Sequence, residues 1–430
     1  MTNTLHILII PSEEFVPDNA PLAGIFQYDQ ACILRNAGHR VSVISVRFRF
    51  SLPMLVKAIA LRCAGRRVKN ETGNYSLIGL IRLLNDKLFK PSKFITRESK
   101  DGIQVLRAEA FYLLPPSPAR DYRYWVKAGM NAYESFTNKE GAPDVIYSHN
   151  ALYAGLLALA IKRKFGKPFI LQEHSSYYSR NLYHKSLLPR AGKVFEESEP
   201  SFAVSHFLAN ELKKKFAGIK IGVLPDVVDP IFESTQPPNL KLNGFRFLHI
   251  GNLISIKRQS DLIQAFADVF RDEADVCLEL AGEGEDREKL QQQIYALNMD
   301  KRILLTGRLS KAEILRRIDQ SHVVCLVSSI ETFGVALLEA IFRGVPVIAT
   351  DCGGLADFVR NYNGILIPKN NVDAMKKALV KIKNCCPQYS REFIRERAIE
   401  EFGSASFLRR FEDVIENRYP TKKKSSLDIV

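Results

Sequence analysis

No apolar run in this chain approaches the roughly 20 residues that cross a bilayer, so no spanning helix is expected. No secretory signal is read at its start: Met1 to Pro11 runs straight into a strand, LHILIIP. The seven cysteines are an odd number and scattered. None has a companion at zinc spacing, which argues against a disulfide framework and a structural zinc site. A reduced, cytosolic protein is expected. Cys277 and Cys325 fall inside apolar strands as small core residues, and Cys385 and Cys386 are adjacent. No Asp-x-Asp motif stands in a loop suited to a metal. Zinc-finger spacing, an RNA-binding aromatic signature and a continuous basic helix are all missing, so nucleic acid is not an expected partner. The formal charge of +14 still calls for an anionic partner, such as an anionic lipid surface or a phosphorylated substrate.

A chain of 430 residues with 46% apolar and 25% charged residues is soluble-like and too long for one ordinary core. Strands and helices alternate throughout, the pattern of two α/β domains with parallel sheets. Leu5 to Pro11, Gly24 to Asn36 and Arg40 to Val46 read as a βαβ opening. Residues 47–101 carry thirteen Lys or Arg against four Asp or Glu. There Leu77, Leu80, Ile81, Leu84 and Leu88 recur at helical spacing. Such a basic amphipathic helix either lies in an anionic membrane interface or packs on its own domain. Two later strands, DVIYSH and PFILQE, each lead into a histidine, His149 and His174. Ligands of open α/β sheets gather at these carboxyl ends, although a satisfied structural histidine is the alternative for each. Phe232 to Asn243 is polar, contains Pro237-Pro238, and reads as a hinge linker.

The second half opens with the strand Phe245 to Ile250, the turn Gly251-Asn252-Leu253, and Lys257 before a helix. A small glycine turn with a cation at a helix entry suits a phosphate. Further strands end at Gly282-Glu283-Gly284 and at Gly307-Arg308-Leu309. The densest signal is SSIETFGVALLEAIFRGVPVIATDCGG, residues 328–354. Glu331 stands in a loop, Val335 to Phe342 reads as a helix, and Glu339 lies within that helix among apolar residues. Two carboxylates can accept hydrogen bonds from two sets of vicinal hydroxyls. The amides of Phe333, Gly334 and Val335 can hold a phosphate between them. The alternative is that Glu339 pairs with an arginine of its own domain while Glu331 is solvated.

The spacing of Glu331 and Glu339, Phe-Gly after the first and Gly-x-Pro-Val-Ile after the second, resembles the retaining GT-B glycosyltransferases of family 4. A looser match in order covers most of the chain outside 47–101. The resemblance implies two Rossmann-like domains, 1–232 and 244–402, facing one another across a cleft. A terminal helix, 403–420, would cross back to the first domain, leaving a basic tail, 421–430. It implies transfer of a sugar from a nucleotide diphosphate sugar to a hydroxyl acceptor with retention, without a metal or other cofactor. Many relatives build cell-surface polysaccharides on lipid carriers, so a lipid-linked glycan acceptor and a place on the inner face of the membrane fit the basic segment. Glu331 would hold sugar hydroxyls and Glu339 the ribose hydroxyls. Lys257 with Gly251 and Asn252 would face the diphosphate, Gly282 would lie beneath the nucleotide, and Arg308-Leu309 would hold the base. His174 would reach the sugar, with His149 and Gly24 on the acceptor side. The family's usual arginine is replaced by Asn252, and its usual glycine pair by Ala23-Gly24. Rival readings are a nucleotide-sugar epimerase of the same fold and a non-enzymatic binder of anionic polymer or membrane.

Overall fold

A computed structural model describes residues 4–17, 24–64, 76–82, 95–112, 117–239 and 243–418. The chain divides into two compact units. One comprises Met1–Phe202, Lys213–Gly222 and Glu412–Val430, the other Ala203–Leu212 and Val223–Phe411.

The first unit is built on an eight-stranded sheet. Its strands are β1 (His6–Ile10), β2 (Arg40–Ser51), β3 (Ile95–Lys100), β4 (Ile103–Tyr112), β5 (Val145–His149), β6 (Phe169–Glu173), β7 (Ser201–Ala203) and β8 (Ile221–Val223), in the order 3-4-2-1-5-6-7-8. The registers from β4 through β6 are parallel, whereas β3 runs antiparallel to β4. The sheet is thus parallel from β4 to β6, as expected, with β3 added antiparallel at its edge. Gly102, at φ 77°, turns the chain back so tightly that no crossover helix is needed. β1, β5 and β6 are buried on both faces, which is why they read as continuous apolar runs.

The second unit carries a six-stranded parallel sheet. Its strands are β9 (Phe245–Ile250), β10 (Val276–Ala281), β11 (Ile303–Gly307), β12 (Val323–Leu326), β13 (Val347–Asp351) and β14 (Gly364–Pro368), in the order 11-10-9-12-13-14. Its core gathers Phe247, Phe266, Phe270, Leu278 and Leu280 around the sheet. The order reverses between β1 and β5 in the first sheet and between β9 and β12 in the second. A crevice at the strands' carboxyl ends belongs at each such point.

Several expectations shift. Within 47–101, Arg40–Ser51 continues as strand and Leu52–Cys63 is a helix. Leu80 is buried but Ile81 is exposed and Ile78 is 73% exposed. Leu84 and Leu88 lie outside the described residues, as does the basic tail. The linker begins later than its composition suggests. Pro230–Ser234 is a short helix capped by Asp229, and Phe232 is fully buried. The carboxyl end holds two helices, Arg391–Phe402 and Ser404–Arg418, broken at Gly403, where one was expected. All seven cysteines are free, and Cys277 is only half-buried. Among the described residues no helix is long and apolar enough to cross a membrane.

Candidate functional site

The 328–354 stretch folds as its sequence implies. β12 ends at Leu326, the helix Val335–Phe342 follows, and β13 returns. Gly334 occupies the helix N-cap at φ 89°, a conformation that a side chain resists. The Glu331 loop is held by backbone rather than by its side chain. Ser329 N donates to Ile256 O (2.8 Å), Glu331 N to Cys352 O (3.3 Å), and Gly354 N to Glu331 O (2.9 Å). The first bond brings the Lys257 turn against the Glu331 loop. There Lys257 Nζ lies 2.5 Å from Glu331 Oε2.

Glu339 is paired too, but not with an arginine. Lys311 Nζ lies 2.6 Å from its Oε1. Sequence reading missed Lys311. It stands first in the helix Lys311–Asp319, after Ser310, whose capping box with Glu313 fixes the helix start. The signal that points to it is the cost of burying a carboxylate in an apolar helix without a cation nearby. The side chain of Phe333 is buried against Phe358 and Phe402.

The neighbouring turns stack along the same edge of the sheet. Gly251 N donates to Ala281 O (3.0 Å), and Gly282 N to Gly307 O (2.8 Å). Arg308 and Asn252 are exposed and Leu309 is half-buried. A buried histidine shapes the Lys257 turn from behind. His249 Nδ1 donates to Cys325 O (2.9 Å), and its Nε2 accepts from Gln259, which also donates to Asn252 O (2.8 Å). Burial lowers His249 to about 4, so its ring is neutral. Arg258, the next cation along the turn, is engaged by Asp261.

Gly282 has φ 152°, and a Cβ there would sit 2.0 Å from Gly251 O. Gly282→Ala is expected to cost on the order of 1–3 kcal/mol through backbone strain, read as a lower melting temperature. An unchanged melting curve would contradict this packing.

In the first unit, His149 and His174 do come together: His149 Nδ1 and His174 Nε2 are 2.9 Å apart. His149 is fully buried, which corrects its expected place facing an acceptor. Among the described residues its ring bonds to His174, and its Nε2 has no hydrogen-bond partner. Burial first, then its neighbour His174, holds the His149 imidazole well below its usual range and therefore neutral. Glu173 behind them is fully buried, and burial raises its carboxyl. The amides of Ala151 (2.7 Å), Ser175 (2.9 Å) and His174 (3.2 Å) oppose that rise. Gly24 caps the helix Ile25–Asn36 at φ 66°, where a Cβ would lie 3.0 Å from Glu14 O. A backbone reason for glycine therefore exists there without any ligand.

Two sheets, each with its own order reversal, define a two-domain α/β protein of the kind that binds nucleotides at strand ends. The chain belongs to the GT-B glycosyltransferases: the model of Glycosyltransferase Family 4 matches residues 24–232 and that of Glycosyl transferases group 1 matches residues 231–400. It is 28% identical over 285 residues to N-acetyl-alpha-D-glucosaminyl L-malate synthase of Bacillus anthracis, covering 63% of this chain and 74% of the relative. It is 25% identical over 285 residues to a lipopolysaccharide 1,6-galactosyltransferase of Salmonella typhimurium, covering 64% and 76%. In fold it is similar to Anabaena HepE, whose structure was solved with UDP and glucose. The TM-score is 0.67 at 16% identity, over 96% of this chain and 100% of that one.

Proposed function

We propose that the protein moves a sugar from a nucleotide diphosphate sugar to a hydroxyl acceptor, retaining the anomeric configuration. The observation that carries this reading is the pair of carboxylates, each with its own lysine, around the amino end of the Val335–Phe342 helix. HepE, similar in fold, was solved with UDP and glucose, which supports a nucleotide sugar as co-substrate. In the proposed reaction the bond from the anomeric carbon to the diphosphate oxygen breaks, and its electron pair leaves with the diphosphate. The acceptor oxygen bonds to the same face of that carbon, and its proton passes to the leaving phosphate. Lys257 and the amides of Phe333, Gly334 and Val335 stabilise the departing charge. Glu331 holds the sugar hydroxyls and Glu339 the ribose. The turn at Gly251-Asn252 faces the diphosphate, Gly282 lies beneath the nucleotide, and Arg308-Leu309 holds the base. His174 supplies an imidazole contact to the sugar. No metal or other cofactor takes part in the proposed mechanism.

The relationship to a Salmonella lipopolysaccharide galactosyltransferase supports a glycan acceptor in polysaccharide or glycolipid assembly. We further assign the acceptor to a lipid-linked glycan, with the basic 47–101 segment at an anionic membrane surface.

A thermal-shift panel of UDP, GDP, ADP and their sugars tests the donor assignment. A true donor nucleotide at 100 times its dissociation constant is expected to add about 2.7 kcal/mol of stability. A melting temperature that no nucleotide moves would refute the donor assignment.

A further inference from the structure

Glu339 and its lysine are unequally buried. The carboxylate is 5% exposed and the Lys311 side chain 18%. The carboxylate thus lies deeper than the ammonium that contacts it. The aromatic ring of Phe232, whose centroid is 5.5 Å from Nζ, backs the ammonium on one side and keeps it at the carboxylate. Lys311 also stands four residues after Gly307, beside the turn proposed to hold the base.

A vicinal diol has two kinds of hydrogen-bonding demand. Each hydroxyl donates one proton and accepts through its oxygen lone pairs. A carboxylate answers only the first demand, because it is an acceptor. An ammonium answers only the second, because it carries three N–H donors and no acceptor. The two side by side, 2.6 Å apart, form a matched acceptor and donor for one ribose.

We propose that Lys311 is a second ribose-reading residue: its ammonium donates to the 2′ and 3′ oxygens while Glu339 accepts their protons. The proposal rests on the reading of this edge as a nucleotide-sugar site. Its role differs from that of a counter-ion, which would only keep Glu339 charged.

The test is calorimetric titration of the full chain with UDP and 2′-deoxy-UDP, and with the GDP and ADP pairs, at pH 6.5 and 8.5. For whichever base binds, wild type is expected to prefer the ribonucleotide on the order of tenfold, the range of one or two hydrogen bonds to charged groups. Lys311→Met is expected to lower that preference severalfold at both pH values, leaving the part that Glu339 supplies, and Lys311→Arg to keep most of it. If the preference of Lys311→Met falls at pH 6.5 and recovers at pH 8.5, the loss is one of charge and not of a donated hydrogen bond, Lys311 is a counter-ion only and the proposal fails. An undiminished preference at both pH values also overturns it, while leaving the donor reading intact. Should Lys311→Met not fold, loss of the preference in Lys311→Ala, which has no donor, supports the proposal and its persistence opposes it. If wild type binds no nucleotide of any base, the donor reading itself falls and the proposal with it.

Discussion

Glu331→Ala and Lys257→Ala are each expected to lose most turnover, but to part company in how they bind UDP. Lys257 is assigned to the leaving diphosphate, and removing one such charge contact costs on the order of 10²–10³ in rate. Glu331 is assigned to the sugar, which UDP lacks. Lys257→Ala should therefore weaken UDP binding. Glu331→Ala should leave it equal or tighter, because Lys257 no longer shares its charge with a carboxylate 2.5 Å away. Both variants should fold, since the Glu331 loop is tied through the backbone of Ser329, Glu331 and Gly354 rather than through either side chain. Release of nucleoside diphosphate gives the rate, calorimetry gives the UDP affinity, and melting checks the fold. Unchanged turnover in both variants would remove the site assignment.

The largest expected effect on stability lies in the same 328–354 stretch, four residues after Glu339. Arg343→Met should destabilise the second unit by about 3–5 kcal/mol, the usual cost of breaking a buried ion pair from one side. Arg343 is 1% exposed. Its Nε and Nη2 lie 2.8 Å and 3.0 Å from the two oxygens of buried Asp319. Its Nη1 donates to Thr235 Oγ1 (2.9 Å) and to the carbonyl of Thr235. Arg395 adds bonds to Phe232 O (2.9 Å) and Phe342 O (2.6 Å). Two buried arginines thus fasten residues 232–235, which read as linker, to the second unit. At about 2–4 °C per kcal/mol for a unit of this size, the melting temperature should fall on the order of 10 °C. Arg40→Ala, which breaks an exposed pair with Glu140, should cost less than about 1 kcal/mol. Equal shifts for the two would overturn the distinction.

These cases show where the sequence was legible. The helix Val335–Phe342 was read with its ends in place, because Gly334 and Gly344 bound a dense apolar run. The paired strands ending at His149 and His174 were legible for the same reason. The partner of Glu339 was not. An arginine of the same domain was the alternative weighed, but Lys311 lies 28 residues away and meets Glu339 only because β11 and β12 deliver both to one edge of the sheet. The depth of His149 was illegible too, since a strand end looks the same in sequence whether its side chain meets solvent or another ring. The linker misled because Pro, Ser and Thr report local backbone preference, and no local signal reveals an arginine that arrives from residue 343.

The sequence by itself determined the alternation of strand and helix, the number of domains and the loops that carry polar groups. Apolar periodicity, caps and glycines act over a few residues and can be read there. Only the tertiary structure decided which charge meets which, how deep each lies, and where the linker ends. Those outcomes depend on strand order and on burial, which are sums over the whole chain.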